Sequence, residues 1–83
     1  MAERVVMVTG GGRGIGRATC VRFAQAGDRI MAVARTRTEL EETRRLVLAC
    51  GGTCEASCAD VTVEEEVGAA VQDALDAFGR VDV

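Results

Sequence analysis

Thr9-Gly10-Gly11-Gly12-Arg13-Gly14-Ile15-Gly16 follows an unbroken apolar run, Val5-Val6-Met7-Val8, and leads into a helix-like pattern. Glycine lacks Cβ, so such a stretch turns tightly, adopts positive φ and lets a bulky group approach the backbone. The turn delivers the chain into the first residues of a helix, where unpaired N–H groups and the helix dipole favour negative charge. Strand, glycine turn and helix start together read as a phosphate cradle. An ordinary glycine turn is the alternative. The glycines Gly10, Gly14 and Gly16 depart from G-x-G-x-x-G spacing, and no Gly-Lys-Ser/Thr of a Walker A loop follows, the chain containing no lysine.

Working outward, Gly27, Gly51-Gly52 and Gly79 each close a helical pattern, as expected of a glycine just past a helix end. Three β-α units result. The first strand is Val5 to Val8, and the first helix runs from about Gly14 to Ala26. Its stripe of Gly16, Cys20, Phe23, Ala24 and Gly27 is suited to packing on a sheet. The second strand, Ile30 to Ala34, is apolar throughout, as in a strand covered on both faces.

The second helix is expected near Thr38, with Thr38-x-x-Glu41 as a capping box and Leu40, Thr43, Val47 and Cys50 inward. The third strand is Cys54 to Ala59. The third helix follows Thr62, with Thr62-x-x-Glu65 as a second box and Val67, Val71, Ala74 and Phe78 as its stripe. Gly68 weakens that helix by ~1 kcal/mol relative to alanine. Val81-Asp82-Val83 begins a fourth strand, expected beside the first. The fold class is α/β: a Rossmann-type parallel sheet in the order 3-2-1, with flanking helices and right-handed crossovers. Residues 1–83 are read as one unit, the N-terminal part of a dinucleotide-binding domain, with no second domain.

Composition narrows the function. Eighty-three residues make one small domain, with 48% apolar and 28% charged side chains, ordinary for a globular protein. No apolar run approaches the ~18 residues of a membrane span, and no signal peptide opens the chain, so the expected location is cytoplasmic. Residues 1–45 carry nine arginines against five acids, whereas residues 46–83 carry one against eight. The basic half suits a phosphorylated ligand; chance asymmetry of a solvated surface is the alternative. A net charge of −3 with two aromatic residues argues against nucleic acid. With no histidine, and Cys54 and Cys58 ~13 Å apart along a strand, neither zinc nor a disulfide is expected. Cys20, Cys50, Cys54 and Cys58 read as small core residues.

Thr9-Gly10-x-x-x-Gly14-Ile15-Gly16 resembles the coenzyme loop of the short-chain dehydrogenase/reductase family, and Cys58-Ala59-Asp60-Val61-Thr62 resembles that family's adenine-contacting Asp-Val/Leu-Thr segment. The resemblance implies cofactor contacts at Gly10, Gly12, Arg13, Gly14, Ile15, Gly16, Ala34, Arg35, Asp60 and Val61. For Asp60 the competing reading is a strand-ending residue beside a helix cap. In sheets of this kind ligands bind beyond the carboxyl ends of the strands, which gathers these segments around one crevice.

NAD-binding sites of this type carry Asp or Glu at the end of the second strand, to accept from the ribose 2′-hydroxyl. Here Ala34 and Arg35 stand at that place, so no carboxylate repels a 2′-phosphate and a guanidinium is available to bind it. Arg13 approaches from the loop. The expected cofactor is therefore NADP rather than NAD, although a solvated turn remains the alternative reading of Arg35 and Arg37.

The family's catalytic residues, a serine and a Tyr-x-x-x-Lys pair preceded by Asn-Asn-Ala-Gly, have no counterpart in these residues, which contain no tyrosine, lysine or asparagine. The chain resembles a reductase that stops short of its active site, and by itself is expected to be inactive. The resemblance implies a parent that transfers hydride between NADP(H) and a carbonyl or secondary alcohol, as a homo-oligomer. A non-catalytic dinucleotide-binding module is the second reading. Another Rossmann enzyme such as a methyltransferase is the third, disfavoured by the glycine spacing and the missing acid.

Overall fold

The computed structural model describes residues 4–83; the three residues before them, included in the expected 1–83 unit, lie outside the described residues. The chain runs β1 (Val5–Thr9), α1 (Gly14–Gln25), β2 (Arg29–Ala34), α2 (Arg37–Ala49), β3 (Thr53–Cys58) and α3 (Glu64–Phe78). The strands form one parallel sheet with β2 between β1 and β3. Thr9 pairs with Val33, and Ala34 with Cys58, so all three strands finish at one edge.

The apolar runs of β1 and β2 are buried on both sides of the sheet. Val6, Ile30 and Ala32 face α1 and α2, joined by Cys20, Ala24, Leu40, Val47 and Cys54. The alternate residues Met31 and Val33 face the other way, toward Ala59, Ala70 and Ala74. Removing this apolar surface from water supplies most of the drive to fold.

Four expectations are corrected. Both capping boxes fail: α2 starts from Thr36 and α3 from Val63, neither with a side-chain cap. Ahead of α3 local bonds take the place of the box: the Thr62 hydroxyl donates to Asp60, and the Asp60 amide donates to Glu66. Of the stripe expected on α3, Ala74 and Phe78 do face the core, joined by Ala70, whereas Val67 and Val71 stay at least a third exposed. The buried Ser57 hydroxyl donates to Asp73 at 2.8 Å and ties α3 to β3, with alanines set against the bulk of Met31 and Val33. Cys50 is not on the inner face of α2 but caps its end, exposed. Cys58 is exposed as well, leaving Cys20 and Cys54 as the core thiols, pushed up by burial to about 11 and about 12. Gly68 lies within α3, as expected.

The segment 81–83 lies along the edge of β1 away from β2. The Val83 amide donates to the Val5 carbonyl, and Met7 donates to Val83, the alternation of a parallel pair. Asp82 accepts from the Val5 amide at 2.8 Å. Arg4 at the start of β1 grips Asp28, after α1, through Nε and Nη2 at 3.2 and 3.0 Å.

The Asp28 side chain is only 6% exposed, and hydrogen bonds from Arg4 hold its pKa below the ordinary carboxylate value against the cost of burial. A depressed folded-state pKa contributes stability that is complete above the unfolded value of about 3.9 and is lost as pH falls through the folded value. The expected outcome is that Asp28→Asn lowers the urea midpoint at pH 7, with the gap to wild type closing as pH falls below about 4. A gap independent of pH would show that the ion pair does not carry this stability.

Candidate functional site

At the carboxyl edge of the sheet lies a hollow of about 360 Å³, lined by Gly10, Gly12, Arg13, Ala34, Arg35, Thr36, Glu39, Ala59, Asp60, Val61 and Thr62. Three segments reach it because the three strands end together. The glycine loop follows β1, Ala34 to Thr36 follow β2, and Ala59 to Thr62 follow β3. The Gly11 amide donates to Val33 and the Ala59 amide to Ala34, extending the sheet ties into the site.

The loop's shape rests on contact between backbones. A Cβ added to Gly16 would lie 1.8 Å from the Gly10 carbonyl oxygen, so the start of α1 passes directly against the loop. Gly10 and Gly14 hold φ of 69° and 57°, values that side-chain-bearing residues rarely adopt. No side chain caps α1, and its first turn contains no acid.

A buried clamp holds the loop from below. The Thr43 hydroxyl of α2 donates to the Gly11 carbonyl at 2.7 Å and accepts from Arg17 Nε at 3.1 Å. Arg17 Nη2 donates to the carbonyls of Gly12, at 2.6 Å, and of Glu39, at 3.2 Å. In a trans peptide the next residue's N–H points opposite the C=O. Fixing these two carbonyls toward α2 therefore turns the amides of Gly12 and Arg13 the other way, as donors free of the clamp.

Of the ten residues expected at the site, Gly10, Gly12, Arg13, Ala34, Arg35, Asp60 and Val61 line the one hollow. Gly14, Ile15 and Gly16 do not: Gly14 opens α1, Gly16 lies against Gly10, and the Ile15 side chain is 87% exposed. Arg13 and Arg35 stand at the rim with most of their side chains in water.

Each rim arginine faces a carboxylate. Arg13 Nη1 is 3.7 Å from Glu39 Oε2, and Arg35 Nη1 is 3.9 Å from Asp60 Oδ2. The Asp60 carboxyl is held below its ordinary value chiefly by the Thr62 hydroxyl and amide, at 2.6 and 2.9 Å, with Arg35 adding to the effect. The end of β2 carries no acid, as the sequence indicated, yet α2 brings one in. Glu39, Thr36, Arg17 and Thr43 were not anticipated at the site. Thr36-x-x-Glu39 has the same spacing as the box read at Thr38, and taking it as the helix start would have brought Glu39 forward.

Among the described residues no acidic or cysteine cluster could hold a metal ion, and no helix is long and apolar enough to cross a membrane.

The family model described as short chain dehydrogenase matches residues 4–83. The chain is 43% identical over 81 residues to short-chain reductase protein NovJ of Streptomyces niveus, covering 98% of this chain and 31% of that one. A metagenomic short-chain oxidoreductase solved in complex with NADP superposes with a TM-score of 0.89 at 34% identity, over 96% of this chain and 36% of that one. NAD+-bound xylitol dehydrogenase superposes with a TM-score of 0.91 at 35% identity, over 95% and 30% respectively. The chain thus spans about a third of the length of these relatives.

The close approach at Gly16 makes a direct test. Gly16→Ala must displace the loop and is expected to cost at least ~1–3 kcal/mol, the range of overpacked sites. Gly68→Ala, with open space around the added methyl, is expected to stabilise α3 by up to ~1 kcal/mol. Urea midpoints of the two variants moving in the same direction would overturn this account of the loop.

Proposed function

The chain belongs to the short-chain dehydrogenase family, and from that premise we propose that it is the cofactor-binding part of an NADP(H)-dependent oxidoreductase acting on a carbonyl or secondary alcohol. One observation carries the reading: Arg13 and Arg35 converge on the rim of a hollow floored by a glycine loop at the carboxyl ends of the strands.

The residues present fit a dinucleotide. The clamp by Thr43 and Arg17 presents the Gly12 and Arg13 amides to a pyrophosphate, and the opening turn of α1 adds N–H donors and the positive end of its dipole. Ala34 and Val61 offer apolar walls to an adenine ring, with Asp60 held beside them by Thr62. Arg35 and Arg13 would take a 2′-phosphate from opposite sides. Gly14 and Gly16 act through loop shape, and Ile15 through its backbone. The nicotinamide, when bound, supplies or accepts the hydride. This chain's residues bind and orient the other end of the cofactor.

The relatives solved with cofactor include one with NADP and one with NAD+, so the choice between them rests on this chain's own arginines. A guanidinium in a charge-assisted hydrogen bond contributes about 1.5–3 kcal/mol, enough to set a preference of tenfold or more. The Tyr-x-x-x-Lys pair of the family has no counterpart among these residues, and proton transfer is therefore assigned to sequence outside them. The whole protein is proposed to act in the cytoplasm.

NADPH is expected to bind more tightly than NADH, with Arg35→Asp reversing the order by direct titration. An unchanged order in the variant would remove Arg35 from the phosphate site. Rigorously pure 83-residue chain is expected to show no reductase turnover.

A further inference from the structure

The hollow contains a carboxylate that the arrangement of arginines does not explain. Glu39 sits in the first turn of α2, between Thr36 and the fully buried Leu40. Its backbone carbonyl is held by Arg17, which also holds the loop. A Cβ on Gly12 would approach Glu39 Cβ to 3.1 Å and Oε1 to 3.4 Å, so the Glu39 side chain stands directly over the glycine loop.

Its carboxylate is only a third exposed and meets Arg13 at 3.7 Å, beyond good hydrogen-bond length. It keeps acceptor capacity. Asp60, the other acid of the hollow, differs because Thr62 already occupies one of its oxygens through both the hydroxyl and the amide.

We propose that Glu39 is a selectivity residue of the dinucleotide hollow, opposing a 2′-phosphate and favouring a 2′-hydroxyl at the same rim. The proposal rests on the dinucleotide-binding reading above and deepens it. A phosphate monoester carries between one and two negative charges near neutral pH, so a carboxylate beside it acts against the two guanidiniums. A ribose hydroxyl is neutral and can donate to that same carboxylate. Glu39 thus does from α2 what an acid at the end of β2 does in an NAD site, and leaves the hollow less selective than its two arginines alone would make it. Before any ligand arrives, the same carboxylate holds the Arg13 guanidinium over the hollow.

The test is calorimetric titration of the full chain with NADPH and with NADH, in wild type, Glu39→Gln and Glu41→Gln. Glu41→Gln makes the same charge change two residues further along α2, where Glu41 pairs with Arg37 outside the hollow. Glu39→Gln is expected to raise the preference for NADPH over NADH by about fivefold, the scale of one charge pair at a partly exposed site, and less at high salt. Glu41→Gln is expected to leave that ratio within about twofold, since exposed charges further away are largely screened. An unchanged ratio in Glu39→Gln, or a shift toward NADH, overturns the assignment of Glu39. So does an equal gain from Glu41→Gln, which would reduce the effect to net charge. If Arg35→Asp reverses the preference while Glu39→Gln does nothing, the inference falls and the cofactor reading stands. If wild type binds neither dinucleotide, both fall together.

Discussion

The structure depends on one close approach, the Gly10 carbonyl against the backbone of Gly16. No side chain fits between them, so the end of β1 and the start of α1 are held at backbone contact distance. That contact sets where the helix begins and which way its first N–H groups point. It also brings α1 down on the sheet close enough for Cys20 and Ala24, both small, to reach Ile30 and Ala32. Larger residues at those two positions would push the helix away and open the loop. The smallness of the inner face and the glycine at its start are one constraint expressed twice.

The loop does not hold its shape by glycine alone, since glycine is permissive rather than directive. The Thr43 hydroxyl and the Arg17 guanidinium supply direction by taking the carbonyls of Gly11 and Gly12. Both donors belong to helices, α2 and α1, packed on the same face of the sheet. Packing of those helices is therefore what aims the loop. A polar group buried without a partner costs about 1–3 kcal/mol, so Thr43, fully buried, needs an acceptor, which the Gly11 carbonyl at 2.7 Å and the Glu39 carbonyl at 3.2 Å supply. Conformation at the site follows from the core as well as from the glycines of the loop.

This explains what the sequence could and could not reveal. The strands were legible because Val5 to Val8 and Ile30 to Ala34 are continuous apolar runs, and burial on both faces demands such runs. The rim of the hollow was legible because the loop, Arg35 and Asp60 follow strand ends in a parallel sheet, and register alone brings strand ends together. Residues on helices were not. Glu39, Arg17 and Thr43 reach the site only through the way α1 and α2 cross the sheet; the stripe of α2 put Thr43 inward but did not say that its hydroxyl meets the loop. The same holds in part for α3, where Ala74 and Phe78 of the expected stripe face the core but Val67 and Val71 do not, Ala70 being buried instead. Periodicity reports which faces a helix offers; packing against the sheet decides which one it uses. The cysteines split in the same way, Cys20 and Cys54 by facing the core and Cys50 and Cys58 by standing at element ends.

The strand that carries the loop is secured from both sides. β2 pairs along its full length from Val5 to Thr9, and on the opposite edge Val83 exchanges hydrogen bonds with Val5 and Met7. Asp82 adds its carboxylate to the Val5 amide and also accepts from Arg80, which lowers its pKa and keeps it charged. An edge strand can twist and fray, whereas a strand paired on both sides cannot move without breaking a ladder. The segment 81–83 covers the first part of the β1 edge, at Val5 and Met7, while the stretch that hands over to Gly10 is tied by the pairing of Val8 with Ala32 and of Thr9 with Val33.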